Sequence, residues 1–222
     1  MLEKSTIQFL KNLGRNNNRE WFLKNKKTFD QANIDFLNFT DELITSIAKF
    51  DKSISGLKAK DCAFRIYRDV RFSKDKSPYK KNFGASINAG GKKAMQAGYY
   101  IHVEPGNKSF LAGGSYLPPS DKLAAIRQEI DYHLTDFKKI LNAPDFKKNF
   151  GSLSEDEGMK LRTAPKGYPG DHPAIELLKF KSFIISWRIK DEVILSKKFP
   201  SDAIEIFKSM KPLHDFLNRA ME

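Results

Sequence analysis

The chain is poor in cysteine, in acid and in long apolar runs, and each shortage narrows what it does. A single Cys62 among 222 residues excludes an intramolecular disulfide and favours a reducing compartment. The opening MLEKSTIQFLKN has no uninterrupted apolar core of the kind a secretory signal needs. Segments such as FIISW at 183–187 fall far short of the roughly 20 apolar residues that span a bilayer. The expectation is a soluble, cytoplasmic protein with no membrane partner. Motifs for nucleotides, metals and acyl transfer are missing too: no glycine-rich phosphate loop and no serine nucleophile elbow occurs. The four histidines, at 102, 133, 172 and 214, include no close-spaced pair suited to zinc. The sequence therefore implies no metal and no cofactor. Asp171-His172 reads as a helix cap, His133 and His214 as surface or interface positions in helical patterns, and Cys62 as a small buried side chain.

Acid is outnumbered. Against 27 Asp and Glu stand 39 Lys and Arg, a formal net charge of +12 with a pI near 9.6. Such a surface concentrates polyanions, but 30 of the cations are Lys, many of them single or paired on solvated helix faces. The nine Arg are more informative. Three of them fall at 65, 68 and 71, and the guanidinium fork is suited to bidentate capture of carboxylate or phosphate. Between Lys58 and Lys81, nine basic residues oppose Asp61, Asp69 and Asp75, a local +6 that is half of the whole charge.

At this length roughly 70% of the unfolded surface is buried on folding, enough for one large domain without staples. Ser5 with Gln8 has the form of a capping box ahead of Ile7, Phe9, Leu10 and Leu13, with Gly14 as the stop. The run Asn16-Asn17-Asn18 supplies a second cap. Apolar residues from Trp21 to Ile47 then recur at three- to four-residue spacing, predicting an amphipathic helix or a broken pair whose Trp and Phe belong to the core.

From about 62 to 117 the period falls to two, which predicts strands at 64–71, 83–88, 98–104 and 109–116, the last two joined as a hairpin through Pro105-Gly106-Asn107. Helices capped by Ser120 and running over 135–141, a short PDFKKNFG segment ending at Gly151, a mostly irregular stretch at 152–172, a further strand near 182–189 and a terminal helix capped by Ser201 complete the pattern. The fold class is α+β: one domain over 1–222, with a central antiparallel sheet of three to five strands and helices from both ends of the chain packed on it.

Alternation places Arg65, Tyr67, Asp69 and Arg71 on one face of the first strand, and Tyr100, His102 and Glu104 extend that face from the third. Gly84, Gly98, Gly113 and Gly114 leave room above it. The candidate ligand-binding residues are Arg65, Tyr67, Arg68, Asp69, Arg71, Lys76, Tyr79, Lys80 and Tyr100, with His102 and Glu104 as catalytic candidates that handle protons. In a regular strand Arg68 points away from Arg65 and Arg71, so only a bulge unites the three. The solvent side of an ordinary sheet, laced with Arg–Asp and Arg–Glu pairs, accounts for the same residues.

The runs FRIYRDVRFSKDKSPYK, NNNREWF at 16–22, GYYIHVEPG at 98–106, DHPA at 171–174 and PLHDFLNRA at 212–220 together resemble the conserved bacterial and fungal family known as domain of unknown function 2461. The resemblance covers essentially the whole chain, with Lys81 standing where that family favours Thr. It implies a soluble single-domain protein and brings no reaction with it.

Three readings follow from the residues. The first is binding of an anionic small molecule bearing phosphate or carboxylate, with an enzyme acting on that molecule as its stronger form. The second is a nucleic-acid-binding module in which lysines of 64–84 contact phosphates and Tyr79 or Phe72 stacks on a base. The third is a protein-interaction scaffold without a ligand.

Overall fold

A computed structural model of the chain describes residues 1–156 and 158–221. Among the described residues the helices are α1 (Lys4–Arg15), α2 (Arg19–Lys24), α3 (Lys26–Ile47), α4 (Ala59–Cys62), α5 (Ser120–Tyr132), α6 (Leu134–Asn142), α7 (Pro144–Phe150), α8 (Ile175–Leu178), α9 (Asp191–Ile194) and α10 (Phe199–Met221). The strands are β1 (Phe83–Ile87), β2 (Gly98–Val103), β3 (Ser109–Ser115) and β4 (Phe183–Ile189), paired as one antiparallel sheet in the order β1-β2-β3-β4. The class is α+β, and the strand count lies inside the expected range. No described helix is long and apolar enough to cross a membrane.

The chain divides into two compact units: the first comprises Met1–Lys93, Tyr100–Leu111 and Arg188–Glu205, the second Ala94–Tyr99, Ala112–Trp187 and Ile206–Glu222. In the first, the apolar stripe of α1 and the long face of α3 meet β1 through aromatic rings. Phe36 lies 5.3 Å from Phe83, Phe9 lies 5.8 Å from Phe29, and Phe22 lies 5.0 Å from Phe29. Helix α2 starts where Asn18 Oδ1 accepts the Trp21 N–H at 2.9 Å. The amphipathic pattern breaks at Asn25, whose side chain donates to the Trp21 carbonyl at 2.9 Å and whose own carbonyl begins α3.

In the second unit, Tyr99 of β2 packs edge-on against Phe207 at 5.3 Å and against His214 at 4.5 Å on α10. His214 is therefore core, 1% exposed, and not the surface position its helical setting suggests. Gly113 makes the space, since a Cβ there would lie 2.5 Å from His214 Nε2. Gly114, at φ +119°, comes so close to the Phe183 carbonyl that a Cβ would lie 1.9 Å from its oxygen, a position only glycine tolerates. Arg127 of α5 donates to the carbonyls of Leu178 (2.8 Å) and Phe180 (3.2 Å), satisfying the end of α8. His172 Nδ1 accepts the Ala174 N–H at 3.1 Å, but this is a turn ahead of the helix: α8 starts at Ile175 with Ala174 before it and no side-chain cap, not at Pro173 with Asp171 or His172 as its cap.

Three more caps differ from the sequence pattern. Helix α1 begins at Lys4, and the Ser5 hydroxyl donates to Glu3 at 3.0 Å instead of closing a capping box. Ser120 is the first residue of α5 rather than its cap. Likewise α10 starts at Phe199, two residues before Ser201, whose hydroxyl donates to the Lys198 carbonyl at 2.7 Å. Each serine sits inside the first turn, and the hydroxyls of Ser5 and Ser201 meet an acceptor just upstream.

Candidate functional site

The basic segment is an irregular hairpin lying beside β1, not the regular strand over 64–71 that alternation predicts. Isolated bridges join Ala63 to Ala85 and Tyr67 to Tyr79. Phe64 N–H donates to the Gly84 carbonyl (2.9 Å), Lys80 N–H to Ile66 (2.8 Å) and Arg68 N–H to Pro78 (2.9 Å). Past Arg68 the pairing ends, because the Asp69 carboxylate accepts the Arg71 N–H at 3.2 Å and turns the chain locally. Arg65, Tyr67, Asp69 and Arg71 consequently do not share one strand face.

Local partners occupy most of the expected anion ligands. Arg68 donates to Asp75 (2.5 Å), to the Ser77 hydroxyl and carbonyl (2.5 and 3.2 Å) and to the Ser73 hydroxyl (3.2 Å). Asp75 is brought down to about 2 by the Ser77 N–H and hydroxyl and by Arg68. Arg71, 77% exposed, pairs with Asp69 at 2.6 Å, and that guanidinium holds the Asp69 carboxyl below its ordinary range. Lys76 Nζ donates to the Val70 carbonyl at 3.0 Å. Tyr79 is buried and stacked on Phe22 at 4.0 Å, while Tyr67 lies exposed beside it, 5.4 Å between rings.

Two cations stand apart. Arg65 has no ion pair or side-chain hydrogen bond among the described residues, and the Lys80 ammonium, likewise without one, lies 5.2 Å above the Phe64 ring. Burial first, and then the positive charge of Arg65, lower the proton affinity of Lys80. Phe64 in turn meets Tyr100 edge-on at 6.4 Å, which connects these cations to the outward face of β2.

That face carries a line of polar side chains. Glu104 Oε2 lies 3.0 Å from His102 Nε2, and His102 Nδ1 lies 3.2 Å from the Tyr100 hydroxyl and 3.4 Å from Asn82 Nδ2. With Glu104 ionised, the ring proton belongs on Nε2, leaving Nδ1 to accept from the phenol. Burial, reinforced by Glu104, pushes Tyr100 up to about 12, so the phenol keeps its proton at neutral pH and donates it to the ring. The side chains of His102 and Glu104 are only 15% and 23% exposed.

Neighbours fix this chain of groups. Phe110 of β3 stacks under His102 at 4.6 Å and 13°. The Ser109 hydroxyl accepts the Glu104 N–H and donates to the Glu104 carbonyl, both at 3.0 Å. At the hairpin turn, Gly106 (φ 87°) and Asn107 (φ 60°) donate their N–H groups to Asp191, both at 2.9 Å. A ligand hydroxyl reaching the Tyr100 oxygen would pass its proton to that oxygen while the phenol proton moves to Nδ1, and Glu104 would stabilise the resulting imidazolium.

The structure thus brings together Tyr100, His102 and Glu104, as alternation on one strand requires, with Lys80 and Arg65 linked to them through Phe64. It leaves Arg68, Asp69, Arg71 and Lys76 in a separate loop and places Tyr79 in the core. The space foreseen above the glycines belongs to the protein itself: a Cβ on Gly84 would lie 2.6 Å from the Tyr100 hydroxyl. Sequence reasoning missed Phe64, Asn82 and Phe110 as site residues. The same period-two register that placed His102 outward also places Phe110 outward on β3, and that signal was available. No group of three or more His, Cys, Asp or Glu among the described residues is arranged to hold a metal ion.

Residues 5–216 match the family model described as conserved hypothetical protein, DUF2461, and the chain belongs to that family. No curated protein and no solved structure matches it.

Proposed function

We propose that the outward face of β2 and its flanking hairpin bind a small anion, a molecule bearing phosphate or carboxylate, and that Tyr100, His102 and Glu104 equip the site for acid–base chemistry on it. Arg65 and Lys80 supply the counter-charge. The observation that carries this reading is a pair of cations without an ion pair: Arg65 depresses the proton affinity of Lys80, and neither has a carboxylate within ion-pair distance among the described residues, Arg65 acting on Asp69 only at longer range, whereas Arg68 and Arg71 each have one. An anion seated between the two cations relieves their mutual repulsion and the desolvation of Lys80. Phe64 and Phe110 give such a ligand an apolar border, as small-molecule sites commonly have. The relay then acts on a hydroxyl of the bound molecule.

Thermal unfolding of the wild type and of an Arg65→Ala, Lys80→Ala double variant, each with inorganic phosphate, pyrophosphate and citrate, tests the binding. Saturable stabilisation of the wild type by at least one of them, amounting to about 2.7 kcal/mol at a hundredfold excess over Kd and absent from the double variant, supports the proposal. Equal stabilisation of both proteins, or of neither, overturns it.

A further inference from the structure

We infer that the loop Arg68–Ser77 is a stacking platform for single-stranded nucleic acid, with Phe72 at its tip. This inference is independent of the small-anion site, because it rests on another set of residues. Phe72 is 96% exposed, the most exposed of the large apolar side chains. A floppy loop would explain such a ring trivially, but this loop is cross-braced. Arg68 ties Asp75, Ser77 and Ser73 together, Asp75 also accepts the Ser77 N–H at 2.9 Å, and Lys76 reaches back to the Val70 carbonyl. These bonds spend the loop's two aspartates internally, Asp75 on Arg68 and Asp69 on Arg71.

What faces outward is an aromatic ring among cations. The Arg71 guanidinium lies 5.9 Å from the Phe72 ring centroid, and exposed Lys74 has no ion pair or hydrogen bond among the described residues. The surrounding stretch from Lys58 to Lys81 carries nine cations against three aspartates, a net +6. A nucleobase is the partner that uses all of this. Its π-face stacks on Phe72 in a sequence-tolerant way beside the Arg71 guanidinium, and a neighbouring phosphate meets Lys74. An acyl chain would use one isolated ring and leave the guanidinium beside it poorly hydrated, and a small anion would have no use for the ring. Buried Tyr79 takes no part.

Fluorescence anisotropy of a labelled mixed-sequence 20-nucleotide single strand, titrated with wild type, Phe72→Ala, Phe72→Trp and Lys74→Ala from low to high salt, tests the platform. Expected are binding by the wild type with log K falling by roughly 0.7 per phosphate contacted for each decade of salt, about tenfold weaker binding by Phe72→Ala, and affinity retained by Phe72→Trp. Lys74→Ala should lower the salt slope by about 0.7. Phe72 lies on the surface, so its variants test binding without threatening the fold. Phosphate stabilisation should be unchanged in Phe72→Ala, which separates this inference from the small-anion proposal. Absence of binding, equal affinity of Phe72→Ala and wild type, or Phe72-dependent capture by phosphatidylserine vesicles without any by the oligonucleotide overturns it.

Discussion

The Tyr100 hydroxyl lies 3.2 Å from His102 Nδ1, on the side of the imidazole opposite the Glu104 carboxylate. A phenol, an imidazole and a carboxylate thus form one line along alternate positions of a single strand. Strand geometry explains how it arises: residues i, i+2 and i+4 share a face, and Gly84 on the neighbouring strand leaves the hydroxyl its space.

The first prediction concerns alkaline pH. Tyr100 is raised by burial, with Glu104 second, to about 12, so the unfolded phenol ionises before the folded one. The sign follows: the native state is unaffected below about pH 10 and loses stability as pH rises toward 12, by about 2–3 kcal/mol in full. Tyr100→Phe should flatten that part of the stability curve. In an ultraviolet titration of the folded protein it should also remove one late-ionising phenol.

Gly84→Ala tests the same line from beneath. The new methyl meets the Tyr100 hydroxyl at 2.6 Å, and the ring end must move away from His102. We expect a loss of about 1–3 kcal/mol, with the late phenol titrating nearer its ordinary range. Denaturant melts and the ultraviolet titration read the two effects separately.

At the hairpin turn, Asp191 is pushed up by burial but brought down further by the N–H groups of Gly106 and Asn107 and by Lys11, with a net lowering. Its contribution is therefore present above the ordinary carboxylate range and is lost as pH falls through the lowered value. Asp191→Ala should destabilise the fold by about 1 kcal/mol near neutral pH and should weaken the acid dependence seen in thermal melts.

Asp75 is exposed, so its pairing with Arg68 bears on loop order rather than on global stability. Asp75→Ala should speed amide exchange and proteolysis across 68–77 while leaving the melting temperature unchanged. In the wild type the same loosening should appear only as pH falls from the ordinary carboxylate range toward 2.

The hairpin of β2 and β3 was legible in the sequence because alternation and a Pro-Gly-Asn turn agree, and Tyr100, His102 and Glu104 followed from it. The strand at 64–71 was not. Its apolar alternation is real, but Asp69 offers the Arg71 N–H a bond two residues away, and that local competition ends the pairing at Arg68. Composition likewise overstated the free positive charge, since Arg68 and Arg71 find carboxylates seven and two residues distant. The burial of His214 depends on the missing side chain of Gly113, a residue far away in sequence, and no periodicity within α10 reveals it. Nor does alternation show that Phe64 bridges Lys80 and Tyr100, a relationship created by the irregular pairing of 63–68 with 78–85.

The central claim, that an anion held by Arg65 and Lys80 sits within reach of the proton relay, is tested most directly by the His102 ring signals in nuclear magnetic resonance during titration with pyrophosphate. The account predicts saturable movement of those signals in the wild type and none in the Arg65→Ala, Lys80→Ala variant. Signals that stay still in the wild type, or that move equally in both proteins, would contradict it.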